Sequence, residues 1–357
     1  MSILFSPITL RNTEIRNRLW AAPMCQYSVE LEDGVPTDWH LVHLGSLARG
    51  GAGLVLTEAT AVSPEGRISP QDTGIWNDEQ QSAWSRITAF VRSQGAVPAI
   101  QLAHAGRKAS TFRPWADDHG TIAVDQGGWV PVAPSAIAFE GYGMPRALDR
   151  AELPGIVSDF AAAARRSIAA GFGALEIHAA HGYLLHQFLS PLSNRRDDEY
   201  GGSLENRARL LVEIVRAIRA ESGEIPVIVR FSATDWAEGG WNEEETAIVA
   251  GWAAEAGADF FDVSSAGLVA HQALSVGPGY QVPFAEHLRA AAGVRAGTVG
   301  LITDARQAEQ ILADGQADVI LMARELLRDP HFPLRAAHEL GDDLSYWPSQ
   351  YLRARLS

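Results

Sequence analysis

The stretch "ALEIHAAHGYLLHQFLSP", residues 174–191, opens as an apolar strand and breaks off into two histidines and a tyrosine. Its first half does not alternate apolar with polar residues, the pattern of a strand buried on both faces of a parallel sheet. Seven other runs share that character: "RLWAAPMCQ" (18–26), "AGLVLTEAT" (52–60), "AVPAIQLAH" (96–104), "PVIVRFSA" (226–233), "ADFFDVSS" (258–265), "AGTVGLI" (296–302) and "ADVILMA" (317–323). Between them lie amphipathic segments such as "NDEQQSAWSRITAFVRSQG" (77–95), "SLENRARLLVEIVRAIRAESG" (203–223) and "DARQAEQILADG" (304–315). Each opens on Asn, Ser or Asp and closes on Gly, as capped helices do. Eight strand-then-helix units predict an α/β protein, a closed (β/α)8 TIM barrel, rather than an open doubly wound sheet. Two excursions interrupt the rhythm, residues 107–148 after the third strand and 182–202 after the fourth. Both follow strand C-termini, where barrels build their active sites. The whole chain, 1–357, is expected to be one domain, with a C-terminal extension over about 330–357.

Composition narrows the function. Hydrophobic residues make up 46% and charged residues 20%, which describes a globular protein with a large core. A net charge of −14 disfavours nucleic acid and anionic membranes as partners, since both need clustered Lys and Arg. Cys25 is the sole cysteine, so the chain forms no internal disulfide. With no basic leader in "MSILFSPITLRN" and no apolar stretch of spanning length, a cytoplasmic location is expected. Lys108 is the sole lysine among 29 basic residues, so Schiff-base chemistry has one candidate nucleophile.

The polar residues at strand ends carry the chemistry. Period-two alternation puts Glu176 and His178 on one face of the fourth strand, and His181 on the opposite parity. The two histidines therefore converge only if the chain has left the strand before His181, a turn that Gly182 permits, with Tyr183 above it. Such a pair either contributes to a metal site, which needs a third ligand, or donates two hydrogen bonds to one oxygen. Cys25, with Gln26 and Tyr27, ends the first strand. Gln101 and Arg230 lie in the third and fifth, where a purely apolar interior has no place for them. Arg230 is either half of a buried ion pair, with Glu176 as the candidate partner, or the receptor for an anion. Gly300 and Arg324 follow the seventh and eighth strands, whose loops commonly hold phosphate in such barrels.

Taken together, "APMCQY" (22–27), "EATAV" (58–62), "QLAHAGRKA" (101–109), "LEIHAAHGYLLHQFLSPLSNRRDDEYGGSLENRARL" (175–210) and "ARELLRDP" (323–330) resemble the old yellow enzymes, FMN-dependent ene-reductases, over nearly the whole chain. Cys25 in "PMCQY" is similar to the thermophilic-like bacterial branch that includes NADPH dehydrogenases and xenobiotic reductases. The resemblance implies FMN as bound cofactor, NADPH or NADH as electron donor, and small activated alkenes as substrates. It implies that Ala22, Pro23, Met24 and Cys25 line the isoalloxazine, that Ala59 and Gln101 contact its polar edge, and that Arg230 faces N1 and the C2 oxygen. Gly300, Ala323 and Arg324 are implied to hold the phosphate. His178 and His181 are implied to bind the substrate carbonyl, Tyr27 to position it and Tyr183 to donate a proton. Arg353, in "QYLR", is implied to enter a neighbouring subunit's site, which makes the protein a homodimer or homotetramer. Ala323 stands where the family usually has glycine, which places FMN affinity in question. The rival readings are a zinc-dependent barrel hydrolase using His178 and His181, a Schiff-base aldolase using Lys108, and a non-catalytic FMN carrier.

Overall fold

Asn77, Ser203 and Asp304, which open three of the amphipathic segments, cap helices. Their side chains accept from the backbone N–H groups of Gln80, Asn206, and Arg306 with Gln307. The computed structural model describes residues 1–355, and in it every apolar run contains one barrel strand. These are β1 Leu19–Ala21, β2 Leu54–Ala61, β3 Val97–Ala103, β4 Ala174–Ala179, β5 Val227–Ser232, β6 Phe260–Ser264, β7 Ala296–Thr298 and β8 Val319–Met322. All neighbours pair in parallel and β8 pairs back with β1, closing a barrel of eight strands. The outer ring is α1 Asp38–Arg49, α2 Asp78–Ser93, α3 Leu153–Ala169, α4 Leu204–Ser222, α5 Glu243–Ala256, α6 Val282–Ala292, α7 Ala305–Ala313 and α8 Phe332–Glu339.

The interior is apolar at its lower end, where Trp20 and Phe260 meet with ring centroids 5.0 Å apart among Leu54, Ala99, Ala174, Ile228 and Leu321. A hairpin of Ile8–Leu10 and Thr13–Ile15 plugs that end, adding Ile8, Leu10 and Ile15 to the same cluster. Arg11 Nε fixes the hairpin on Asp259, 2.6 Å away and one residue before β6. The chain beyond Asp329 begins by completing the ring: Phe332, Leu334, Ala336 and Ala337 of α8 are buried in the core. The extension proper therefore starts near Gly341, later than expected, and ends in the 3-10 segment Ser349–Ala354. Among the described residues no helix is long and apolar enough to cross a membrane.

Candidate active site

Parallel register places the polar interior residues side by side. His178 pairs with Arg230, Arg230 with Asp262, and Gln101 with Glu176. The cation's partner is Asp262, with Nε 2.9 Å from Oδ2, and not Glu176 as the sequence suggested. Glu176 instead accepts from Gln101 Nε2 at 2.8 Å. Burial, followed by the nearby Asp262, pushes its carboxyl up to about 8, so it is protonated at neutral pH. Beyond the ion pair with Asp262, the Arg230 guanidinium has no partner among the described residues, and it makes no hydrogen bond there. Its remaining N–H groups are free for an anion.

Above this layer the chain leaves β4 at Ala179, and His181 adopts φ +56°. Gly182 (φ +73°) and Gly267 (φ +94°) face each other so closely that a Cβ on Gly182 would collide with the Gly267 carbonyl. Only glycine permits that approach. His186 fixes the turn, taking the Gly182 N–H on Nδ1 at 3.0 Å and pointing Nε2 at Asp235, 2.9 Å away. The result is a triangle of rings: His178 lies edge-on to His181 at 5.3 Å and to Tyr183 at 4.9 Å between centroids. His178 Nδ1 accepts from the Ala180 N–H at 3.3 Å, which leaves Nε2 carrying the proton as a free donor. His181 Nε2 lies 2.9 Å from Ser264 Oγ, whose hydroxyl donates to Gln281 Oε1 at 3.2 Å, so Ser264 takes the Nε2 proton of His181 as acceptor. Burial first, then Arg230, hold both imidazoles well below their ordinary value and neutral. Burial, with Cys25 and Asp72 adding to it, keeps Tyr183 a phenol.

The segment beyond β1, a strand that ends at Ala21 and not at Cys25 as expected, closes against this triangle. Cys25, Tyr27 and Tyr183 pack together on Ala59, Ala103, Ala105 and Ala109. A register shift in β2 between Leu56 and Ala59 turns Ala59 towards them. Ala22 is tied to β8 through Met322 O at 2.9 Å, and Pro23 and Met24 lead from it to Cys25. Gln26 N donates to Glu58 Oε2 at 2.9 Å, and the other Glu58 oxygen lies 3.0 Å from His40 Nε2. Tyr27, at φ +49°, meets Trp115 of the first excursion edge-on at 5.7 Å.

The loops after β7 and β8 enclose a cavity of about 90 Å³ lined by Gly300, Ala323 and Arg324. Gly300 sits at φ +129°, and a Cβ there would come within 2.9 Å of the Gln281 amide, so glycine is required. Ala323 has φ −113° and ψ −92°, outside the main helical and extended regions, so the position that the family usually gives to glycine carries an unusual backbone here. Arg324 has no ion-pair partner among the described residues. Free N–H groups on Arg230 at one end and an unpaired Arg324 beside a glycine cradle at the other fit an anionic ring system with a phosphate tail. Arg353 lies exposed on Ser349–Ala354, and no hydrogen bond or ion pair among the described residues ties it to the barrel mouth.

Asp262, Glu58 with His40, Asp72 and Ser264 also surround the site, and sequence reasoning assigned none of them there; Lys108 stands there too, a residue the sequence offered only as the nucleophile of the aldolase reading. Asp262 had the same signal as Arg230, a charge within an apolar strand. The others lie on elements whose approach to the mouth only the fold reveals. Among the described residues no three His, Cys, Asp or Glu side chains cluster to hold a metal, so the zinc reading has no third ligand.

Residues 3–343 match the family described as NADH:flavin oxidoreductase / NADH oxidase. The chain belongs to this family. Its relatives include the NADPH dehydrogenase of Listeria monocytogenes serovar 1/2a, 48% identical over 355 residues and 99% of each chain. The old yellow enzyme homologue from Zymomonas mobilis superposes with a TM-score of 0.78 at 28% identity, covering 99% of this chain and 98% of that one. A 2-naphthoyl-CoA reductase does so with a TM-score of 0.86 at 25% identity, covering 95% of this chain but only 52% of that one, so this chain spans about half of it. As a member of the flavin oxidoreductase family the protein is an enzyme and an oxidoreductase, and the barrel is that of the old yellow enzymes.

Proposed function

We propose that this protein is an FMN-dependent ene-reductase that draws electrons from NADPH. The observation that carries the reading is the His178, His181 and Tyr183 triangle standing directly above the Arg230 layer. FMN, when bound, supplies the two-electron carrier between nicotinamide and the β-carbon of an α,β-unsaturated carbonyl or nitro compound. Arg230, a cation that cannot lose its proton, favours negative charge on the face turned to it. His178 directs its Nε2–H at the substrate oxygen and His181 supplies the second donor by releasing Ser264, so charge developing on that oxygen meets fixed dipoles. Tyr183 hands its phenolic proton to the α-carbon. Cys25, kept a thiol chiefly by burial, and Tyr27 wall the opposite side. The loops with Gly300, Ala323 and Arg324 hold the phosphate. Arg353 serves a neighbouring subunit, in a homodimer or homotetramer.

The purified protein should be yellow, bleach anaerobically with NADPH and regain its colour on adding cyclohexenone. A bleached protein that cyclohexenone does not reoxidise would leave a flavin reductase without alkene reduction. Metal analysis of the same sample tests the zinc alternative.

A further inference from the structure

Lys108 is the only lysine in the chain, and it stands at the barrel mouth on the Gly106–Lys108 turn after β3. Its Nζ donates to the His181 carbonyl at 2.9 Å and to the Gly267 carbonyl, bridging the two segments whose close approach sets the His181 turn. The ammonium lies 5.8 Å from the centre of the Tyr183 ring and 4.3 Å from that of Phe139. No carboxylate pairs with it among the described residues. A cation held by carbonyls and ring faces alone keeps most of its field available to whatever negative charge forms nearby. The group that becomes negative in the proposed reaction is Tyr183, as its proton leaves.

We propose that Lys108 is a positioning residue of the proton-transfer step: its ammonium braces the His181 turn through two carbonyls and stabilises the Tyr183 phenolate as the proton passes to substrate. This rests on the ene-reductase reading. In balance, the substrate β-carbon gains a hydride, the α-carbon gains the Tyr183 proton, and the phenolate left behind is reprotonated from solvent.

The same surroundings make the device responsive to pH. Burial, then the neighbouring Arg107, pull the Lys108 ammonium down to about 7. The groups facing Tyr183 and Lys108 are Cys25, Tyr27 and Tyr142, all held neutral; His178 and His181, held neutral; Arg107, charged; and Asp72, whose carboxyl burial lifts to about 7. Below that pH the ammonium assists Tyr183, and above it the free amine does not. Ionisation of Asp72 over the same range is the rival source of such a transition, and the test separates the two.

The experiment measures, in holoenzyme from pH 5.5 to 8.5, the rate of cyclohexenone-driven reoxidation relative to NADPH-driven reduction. The wild-type ratio should fall as pH rises through the Lys108 transition. In Lys108→Met that transition should vanish, leaving the low ratio of the wild type at high pH, about tenfold below its low-pH value. Lys108→Arg, charged throughout, should hold the high ratio across the range. Asp72→Asn should keep the transition. A transition that persists in Lys108→Met, or one lost in Asp72→Asn, overturns the proposal. A wild type that cyclohexenone does not reoxidise overturns the ene-reductase reading and the proposal with it. Because Lys108 is the only lysine, protein grown with ¹³Cε-lysine reports the amine directly and without mutation. A single Cε signal titrating near 7 supports the assignment, and one titrating near the ordinary 10.5 overturns it.

Discussion

Two floors of the same barrel, built by the same strands, obey opposite rules. On the lower floor the interior positions are Ala99, Ala174, Ile228 and Phe260. Two residues further along, at the same parity, they are Gln101, Glu176, Arg230 and Asp262, and two further on β4, β5 and β6 they are His178, Ser232 and Ser264. The lower floor is closed by a hairpin and filled around the rings of Trp20 and Phe260. The upper one buries an ion pair and a neutral acid that a folding protein has no need of. The difference separates what holds the barrel from what the barrel is for. Polar groups buried without a stabilising purpose mark the end where chemistry occurs.

The sharpest way to break the contrast is to remove the charge that organises the upper floor. Arg230→Met leaves Asp262 buried and unpaired, and should destabilise by about 3–5 kcal/mol while abolishing retention of the yellow cofactor. The urea midpoint and the absorbance spectrum of the purified variant measure both. Arg230→Met with Asp262→Asn should recover most of the stability and none of the cofactor. Recovery of both would mean that the pair is structural.

Phe260→Ala strikes the lower floor through the same strand. It leaves a cavity beside Trp20 and should cost about 3–5 kcal/mol in unfolding free energy. Here the cofactor spectrum and the balance of the two half-reactions should stay close to wild type. If they shift, the floors are mechanically coupled.

Smaller in free energy, and confined to one half-reaction, is the loss of the acid. Tyr183→Phe should lower cyclohexenone-driven reoxidation by at least about 10²-fold relative to NADPH-driven reduction. His178→Ala removes the unengaged imidazole donor, should cost about 10²–10³-fold in the same ratio, and should abolish the long-wavelength band formed with para-substituted phenols. Equal losses in both half-reactions would contradict either role.

The lower floor was legible almost entirely from the sequence, because a strand buried on both faces leaves an apolar run that no other element matches. The upper floor was legible only where a polar residue stood inside such a run. That is why Gln101, His178 and Arg230 could be singled out. Asp262 carried the same signal, and its omission led to Glu176 being named as the partner of Arg230. Pairing across strands depends on register, which one strand's sequence does not encode. Lys108, Asp72 and Glu58 reach the site from loops and a strand's far face, through approaches such as Gly182 against Gly267 that exist only once the barrel is closed.

The finest test concerns Glu176, the neutral acid of the upper floor, two residues along β4 from Ala174 of the lower one. Its carboxyl is raised by burial to about 8 in the folded protein against 4.5 in the unfolded chain. Between those values the folded state holds a proton that the unfolded state has released, so stability falls as pH rises through this window and levels off above it. One such group contributes a slope of at most about 1.4 kcal/mol per pH unit. Asp72, raised to about 7 chiefly by burial, adds a slope of the same sign. In flavin-free protein, Glu176→Gln keeps the hydrogen-bonding shape and removes the titration, so the wild type's unfolding free energy measured against the variant's should fall from pH 5 to 8, the shares of Asp72, the depressed imidazoles and Lys108 being common to both. A difference that stays flat would place a carboxylate on Glu176 at neutral pH. Arg230 would then face two anions instead of one, and little of its charge would remain for a cofactor.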